Sequence, residues 1–473
     1  MKAPFDIAGD LDTPVSAFAK LEPFSPCFLL ESVEGGERLG RYSFIGFGER
    51  LHVRLDAGGL AIGESDGASR GQGAKLVYSP APVSQAELLG VLRAALARAP
   101  QPTPALGQVP LAGGLVGYAA YDIVRYFERL PELAAPLPGV PLLHYVAPRS
   151  LLVFDHVSRG IALLHAGSDA ERSALRSEVI AALRGPVPRH AAAGRFAVPT
   201  PALAREAYCR GVRRIQDYIA AGDVYQLVLA SRFAGEHSLD PFQVYRALRL
   251  INPSPYMYFC RLDDLTVVGS SPEALVKLSA GQAELRPIAG TRPRHEDPQR
   301  DAALEAELRA DAKENAEHVM LVDLARNDLG RVASAGSVHV EPYRCIERYS
   351  HVMHMVSGVR GRLAPGRDAF DLFAASFPAG TLVGAPKVRA MQIIEELEPV
   401  RRGLYGGTIG YFGTGGAMDQ AITIRTLVFQ ADRYSFQAGA GIVADSRPDA
   451  EYDEVLAKGA ALLGALKLAE EGL

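Results

Sequence analysis

The sequence predicts a mixed α/β protein, a succession of short apolar strands broken by glycine and proline with a few amphipathic helices set among them. Three observations carry this reading. Runs such as CFLLESVEG, RYSFIGFG and SLLVFDH are rich in aliphatic and aromatic residues and are bounded by turn-forming residues. The stretches 169–183, 203–221 and 311–330 carry apolar residues at helical rather than alternating spacing. Residues 184–201 hold four prolines and few large apolar side chains, the composition of a linker. The expected organisation is an N-terminal region, 1–185, a linker, 186–201, and a C-terminal region, 202–473.

In chain order, the first part up to about Gly160 reads as sheet, with LHVRLDAGGLAIG and GGLVGYAAYD adding to the runs above. A helix follows from Asp169 to Leu183. Beyond the linker, Leu203 to Ala221 is an amphipathic helix with Tyr208, Val212, Ile215 and Ile219 on one side and Gly222 as its C′ residue. VYQLVLASRF is a strand, and DPFQVYRALRLINP a helix stopped by Pro253. YMYFCRL, LTVVGSSP and ALVKLS are strands, as are VHVEPY and HVMHMVSGVRG. A helix from Pro386 to Leu397 leads to three last strands, GLYGGTIGYFG, MDQAITIRTLVFQ and RYSFQAGAGIVADS, before a closing helix.

Composition excludes several classes. Fifty basic against fifty-four acidic residues leave a formal charge of −4, and no basic run could track a phosphate backbone, so nucleic acid is not an expected partner. The N-terminus has neither a basic region followed by an apolar run nor an Arg-rich pattern, and no stretch approaches the length of a membrane span. A soluble cytoplasmic protein is expected. Cys27, Cys209, Cys260 and Cys345 are scattered without CxxC spacing, which indicates neither a zinc site nor a disulfide framework.

The stretch DAKENAEHVMLVDLARNDLG, 311–330, makes about five helical turns, with Val319, Met320, Val322 and Leu324 as its apolar stripe. Glu314 and Glu317 share a face. DAEYDEVLAKG repeats the device with Glu451 and Glu454, and Lys458 lies one turn further along. A single such pair is ordinarily a solvated helix face. Four carboxylates converging on one point would repel unless a hard cation such as Mg²⁺ sat between them.

Arg425 sits inside an otherwise apolar strand, AITIRTLVF, where an unpaired guanidinium is costly, so it needs an anionic partner. A structural carboxylate and a substrate carboxylate both meet that need. Gly439 and Gly441, and likewise Gly403, Gly406 and Gly407, mark either tight turns or a close approach of ligand to backbone. Thr381 adds a hydroxyl. His354 lies among apolar neighbours, where a satisfied core histidine is the commoner case. Glu273 follows a Ser-Ser-Pro turn; in a closed pocket its pKa would rise enough to make it a proton donor.

GDVYQLVLASRF, INPSPYMYF, GSSPEALV, RPIAGTRPR, ENAEHVMLVDLARND, HVMHMVSGV, AGTLVGAPK, GGTIGYF, AGAGIVADS and EYDEVLAKG stand in the order seen in chorismate-utilising enzymes. The chain resembles the large subunits of anthranilate synthases, and LLESVEGGE, GGLVGYAAYD and VFDH extend the match over nearly its whole length. The resemblance implies an α/β sandwich of large, mainly antiparallel sheets flanked by helices. It also implies a Mg²⁺ site at Glu314, Glu317, Glu451 and Glu454, with Glu317 and Glu454 the likelier direct ligands. Thr381, Tyr405, Arg425, Gly439, Gly441 and Lys458 would surround the substrate carboxylates, with Glu273 as acid and His354 as catalytic partner.

Relatives differ in nucleophile. Water-using members carry Lys where Gln226 stands, and a neutral amide cannot deprotonate water. Many aminodeoxychorismate synthases carry Lys in the PIxGT motif where this chain has Ala289, beside Gly290 and Thr291, and a methyl group cannot attack the ring. Anthranilate formation from chorismate and ammonia is therefore expected, with aminodeoxychorismate synthesis and a non-catalytic metabolite-binding paralogue as alternatives. Glu31 and Ser32 in LLES, and Pro255, Tyr256 and Met257 in NPSPYM, resemble a tryptophan feedback pocket, although a strand end and a Pro turn also account for them. No stretch resembles a glutamine amidotransferase, so the resemblance implies a separate small subunit and a hetero-oligomer.

Overall fold

A computed structural model describes residues 4–33, 40–65, 75–107, 109–188, 194–348 and 352–473. The ends of CFLLESVEG and LLESVEGGE, the first residue of HVMHMVSGVRG and the middle of the linker lie outside the described residues.

Strands from both ends of the chain enter one continuous sheet. Tyr42–Asp56 pairs with Leu143–Asp155 over most of its length, and the latter also pairs with Gly114–Ala119. Gly114–Ala119 in turn pairs with Thr408–Gly413, and Phe28–Glu31 with Tyr256–Leu262. Strands on the two sides of 186–201 are thus hydrogen-bonded neighbours, and Thr200–Pro201 itself pairs with Gln226–Glu236. All these pairings are antiparallel.

Side chains alternate across a strand, and here both faces are covered. Tyr258, Cys260 and Leu262 face a core shared with Phe28, Phe44, Val116, Val146, Val267 and Ile409. Met257 and Phe259, from the same strand, face a second core beneath helices, with Phe18, Tyr245 and Leu248. The inner core lies between sheet layers and the outer one between sheet and helix, which makes the fold the expected sandwich flanked by helices. Among the described residues, no helix is long and apolar enough to cross a membrane.

The helices Asp169–Arg184, Arg205–Ala220, Pro241–Ile251 and Lys387–Leu397 lie where periodicity placed them. Two helices in the region read as sheet, Pro14–Lys20 and Gln85–Arg98, escaped that reading. The second carries a start signal: Ser84 accepts a hydrogen bond from the Glu87 backbone. The expected stripe on Ala312–Gly330 is also corrected. Val319 is 40% exposed, and the buried face is His318, Leu321, Val322, Ala325 and Leu329, so the helix is rotated from the expectation. Finally, MDQAITIRTLVFQ is two strands, Met418–Ile422 and Thr426–Gln430, separated by a bend at Arg425, whose φ is +49°.

Candidate active site

Asp311 caps Ala312–Gly330 by accepting hydrogen bonds from the Lys313 and Glu314 backbones, which fixes where Glu314 and Glu317 emerge. The helix Pro448–Glu471 carries Glu451, Glu454 and Lys458 in its first three turns. Both glutamate pairs line one cavity of about 730 Å³.

Cations and amides hold the carboxylates apart. Arg292 Nη1 lies 3.4 Å from Glu314 Oε1, Lys458 Nζ 2.7 Å from Glu454 Oε1, and Gln226 Nε2 3.4 Å from Glu317 Oε1. Burial pushes the Glu451 carboxyl up, a hydrogen bond from Ser446 holds it back, and Glu454 adds a smaller upward push. No three of these oxygens lie within 4.8 Å of one another. The four carboxylates thus share a cavity but do not converge on one point as expected; what fits a hard cation such as Mg²⁺ is the all-oxygen donor type.

Glu273 lines the same cavity, just beyond the strand Leu265–Ser271. Burial pushes its carboxyl up to about 7, against the opposing pull of the Thr381 hydroxyl, which donates to Oε1 at 3.0 Å, and of Arg425. With its pKa near 7, about half of this carboxyl is protonated at neutral pH and can give a proton.

Arg425 lies at a bend rather than inside a strand: its backbone is left-handed, and pairing resumes at Thr426. It lines the cavity, and its Nη1 donates to Asn252 Oδ1 at 3.3 Å. Gly439 and Gly441 are explained by close approach. A Cβ at the first would lie 2.8 Å from the Tyr405 hydroxyl, and at the second 2.7 Å from Gln226 Nε2. Lys458 Nζ donates to the Gly439 carbonyl at 2.9 Å. Gln226, Ala289, Gly290, Thr291, Thr381 and Tyr405 also line the cavity. His354 is not among the lining residues. Its Nδ1 lies 2.9 Å from the Thr291 hydroxyl, and burial lowers its pKa, so the ring is neutral at pH 7 and meets the cavity through Thr291.

Sequence reasoning missed the support beneath this wall. Arg402, 2% exposed, donates to both oxygens of Glu398 and to the carbonyls of Leu382 and Val228. Glu398 accepts from the Ala230 backbone, and Gln437 donates to the Arg402 carbonyl. Val228, Leu382 and Gln437 all line the cavity; the Arg402 guanidinium holds the first two and the Arg402 carbonyl the third. An arginine before Gly-Leu-Tyr-Gly-Gly was the available signal.

A second cavity, of about 570 Å³, is lined by Glu31, Ser32, Pro255, Tyr256 and Met257 together. The Glu31 carboxylate is already engaged, accepting from Tyr245 Oη at 2.5 Å and Arg249 Nε at 2.6 Å. The Tyr256 hydroxyl donates to Asp419, which also pairs with Lys277.

Residues 25–464 match the model of the chorismate binding enzymes. The chain belongs to that family. It is 46% identical to the anthranilate synthase component 1 of Thermus thermophilus over 98% of this chain and 97% of that one. Its structure superposes on that of anthranilate synthase component I from Streptococcus pneumoniae with a TM-score of 0.78 at 32% identity, covering 98% of this chain and 100% of the other. The menaquinone-specific isochorismate synthase of Escherichia coli shares the fold at 19% identity and a TM-score of 0.69, covering 97% and 92%.

Proposed function

We propose that the chain is the chorismate-binding component of an anthranilate synthase, converting chorismate and ammonia to anthranilate and pyruvate in the first step of tryptophan synthesis. One observation carries the reading: a single cavity gathers a buried acid, Arg425, Lys458 and four glutamates, with Gln226 and Ala289 where related enzymes place lysine.

Chorismate carries two carboxylates and a poor hydroxyl leaving group. Arg425 and Lys458 bind and orient the anions, and Thr381 and Tyr405 add hydroxyl contacts. Glu273 donates the proton that lets the hydroxyl depart. Glu314, Glu317, Glu451 and Glu454 would hold Mg²⁺, which when bound neutralises a substrate carboxylate and withdraws electrons from the ring. With no lysine at 226 or 289, the chain's own groups neither activate water nor attack the ring, and ammonia adds. Loss of the ring proton needs a base at the cavity, and His354, neutral and hydrogen-bonded to Thr291, assists that step from behind Thr291 without touching the ring.

The second cavity is assigned to tryptophan as feedback inhibitor, with Tyr256 against the indole and Ser32 and Glu31 toward the ammonium; Met257 lies along the cavity, but its side chain faces the core beneath the helices. Because Glu31 is already held by Tyr245 and Arg249, it acts as an anchored acceptor rather than a mobile one. A separate glutamine amidotransferase subunit delivers ammonia in the resulting hetero-oligomer. The four cysteines are free thiols, in keeping with a cytoplasmic enzyme.

Purified chain given chorismate, Mg²⁺ and ammonium salt at alkaline pH should make anthranilate and pyruvate in equal amounts, and glutamine alone should give nothing. Chelation should abolish turnover, and added Mg²⁺ should restore it. Formation of 4-amino-4-deoxychorismate without pyruvate would replace this reading with the folate-pathway one, and isochorismate would show that Gln226 does not exclude water.

A further inference from the structure

Outside the residues that line either cavity, the strand register assembles a different group of side chains. Arg54 pairs directly with His144, and Tyr118 pairs with His144 from the neighbouring strand. Directly paired residues share a face, as do residues two apart on one strand, so His52, Arg54, Tyr118 and His144 all point the same way. That face is the inner core, where Tyr118 is fully buried. The turn Asp263–Asp264, between the strands Tyr256–Leu262 and Leu265–Ser271, closes over them. His52 Nδ1 lies 3.3 Å from His144 Nε2, while Asp263 Oδ1 lies 3.6 Å from the former and Oδ2 3.6 Å from the latter.

We propose that His52, His144 and Asp263 form a site for a transition-metal dication of the zinc class, separate from the glutamate cavity. Ligands about 2.0–2.2 Å from a tetrahedral ion stand about 3.3–3.5 Å from one another; the two imidazole nitrogens have that spacing, and one Asp263 oxygen lies within 4.8 Å of both, near enough for a small rotation of the carboxylate to close the set. Two imidazoles and one carboxylate suit Zn²⁺, Co²⁺ or Ni²⁺ and not Mg²⁺, which prefers oxygen alone. His52 Nε2 lies 2.9 Å from Ser65 Oγ, the kind of outer contact that orients a ligating ring and leaves Nδ1 for the metal.

The Tyr118 hydroxyl is buried without a hydrogen-bond partner among the described residues and lies within electrostatic reach of Asp263 and Asp264. A water in the open fourth position would offer it one. Arg54 is the competing cation, with Nη1 3.7 Å from Asp263 Oδ2. It has alternatives: Asp56 at 2.7 Å and Asp264 at 3.5 Å keep it neutralised when Asp263 turns to an ion. The Arg50 field opposes binding as well, so selectivity rests on the imidazoles rather than on net charge. An ion there would tie the Asp263 turn to the strands beneath it and stabilise the fold without touching the chemistry.

Chelator-stripped full-length chain should take up one equivalent of Co²⁺ or Zn²⁺ in the presence of excess Mg²⁺, with Co²⁺ giving the visible absorption of a low-coordinate nitrogen-oxygen site. Asp263→Asn, on a partly exposed turn, should weaken uptake at least about tenfold while melting like the parent in the absence of metal. His52→Gln should do the same, and Glu454→Gln should bind as the parent does. No stoichiometric uptake against Mg²⁺, uptake undiminished in Asp263→Asn, or uptake lost in Glu454→Gln would each overturn the assignment.

Discussion

The two cavities share a wall and differ in how they treat charge. Along Pro272–Glu273–Ala274, the outer two residues line the 570 Å³ cavity and Glu273 lines the 730 Å³ one, an alternation that extended backbone imposes. Ile288 lines both. In the smaller cavity the charges are satisfied by protein: Glu31 by Tyr245 and Arg249, Asp419 by Lys277 and Tyr256. In the larger one, four glutamates, Arg425 and Lys458 face a single space, Lys458 and Glu454 paired within it, and an acid titrates near neutrality. A neutralised, aromatic-walled pocket suits reversible binding of an amphipathic molecule. A charged cavity with a poised acid suits turnover of an anionic one.

That contrast can be broken most sharply at Glu273. Glu273→Gln keeps the shape but cannot donate, and kcat should fall roughly 10²–10⁴-fold, the usual worth of general acid catalysis. Tryptophan binding measured by calorimetry should not change, although Pro272 and Ala274 flank the substitution. A near-normal kcat would move the acid elsewhere.

Glu398→Gln tests whether the catalytic wall depends on the buried pair beneath it. Leaving the Arg402 guanidinium uncompensated should cost about 3–5 kcal/mol of stability, read from urea unfolding, where a surface pair would cost at most about 1 kcal/mol.

Ser32→Phe fills the smaller cavity. Tryptophan inhibition should disappear with uninhibited turnover retained, and in the parent saturating chorismate should weaken tryptophan binding by the same factor that tryptophan weakens chorismate. Parent-like inhibition in the variant would remove tryptophan from this pocket.

The smallest effect is a shift in pH dependence. At fixed free ammonia, kcat/KM should fall as pH rises through about 7, where Glu273 loses its proton. Thr381→Val deletes a hydrogen bond that favours the carboxylate, so the descending limb should move to higher pH. The sign for stability is the same. The native chain holds a proton that the unfolded chain loses near its ordinary carboxylate pKa, so stability declines as pH rises from there to about 7. An unmoved limb would separate Thr381 from the acid.

Much of this site was legible because its residues sit in local patterns. Glu pairs three apart and Lys458 one turn on are fixed by helical geometry, and Glu273 after Ser-Ser-Pro was marked by its turn. The rotation of the helix Ala312–Gly330 was not, because its buried face includes His318, whose Nε2 lies 2.7 Å from Ser357 Oγ. A hydrogen bond across thirty-nine positions replaced hydrophobicity as the reason for burial, and no local pattern records that. Arg425 was flagged as a strand cation needing an anionic partner, whereas it lies at a bend and donates to the Asn252 amide oxygen; the bend stayed hidden, since a positive φ at a non-glycine residue is imposed by surroundings.

By itself the sequence determined the strand-rich character, most of the helices, the carboxylate pairs and the motif order that places the chain among the chorismate binding enzymes, because each is written in spacing along the chain. Tertiary structure alone decided that both ends share one sheet, that burial raises the Glu273 pKa to near neutral pH, that Arg402, paired with Glu398, holds Val228 and Leu382 in the cavity lining, and that His52, His144 and Asp263 meet. Those outcomes depend on desolvation and on strand register between distant segments, and neither quantity is carried by neighbours in sequence.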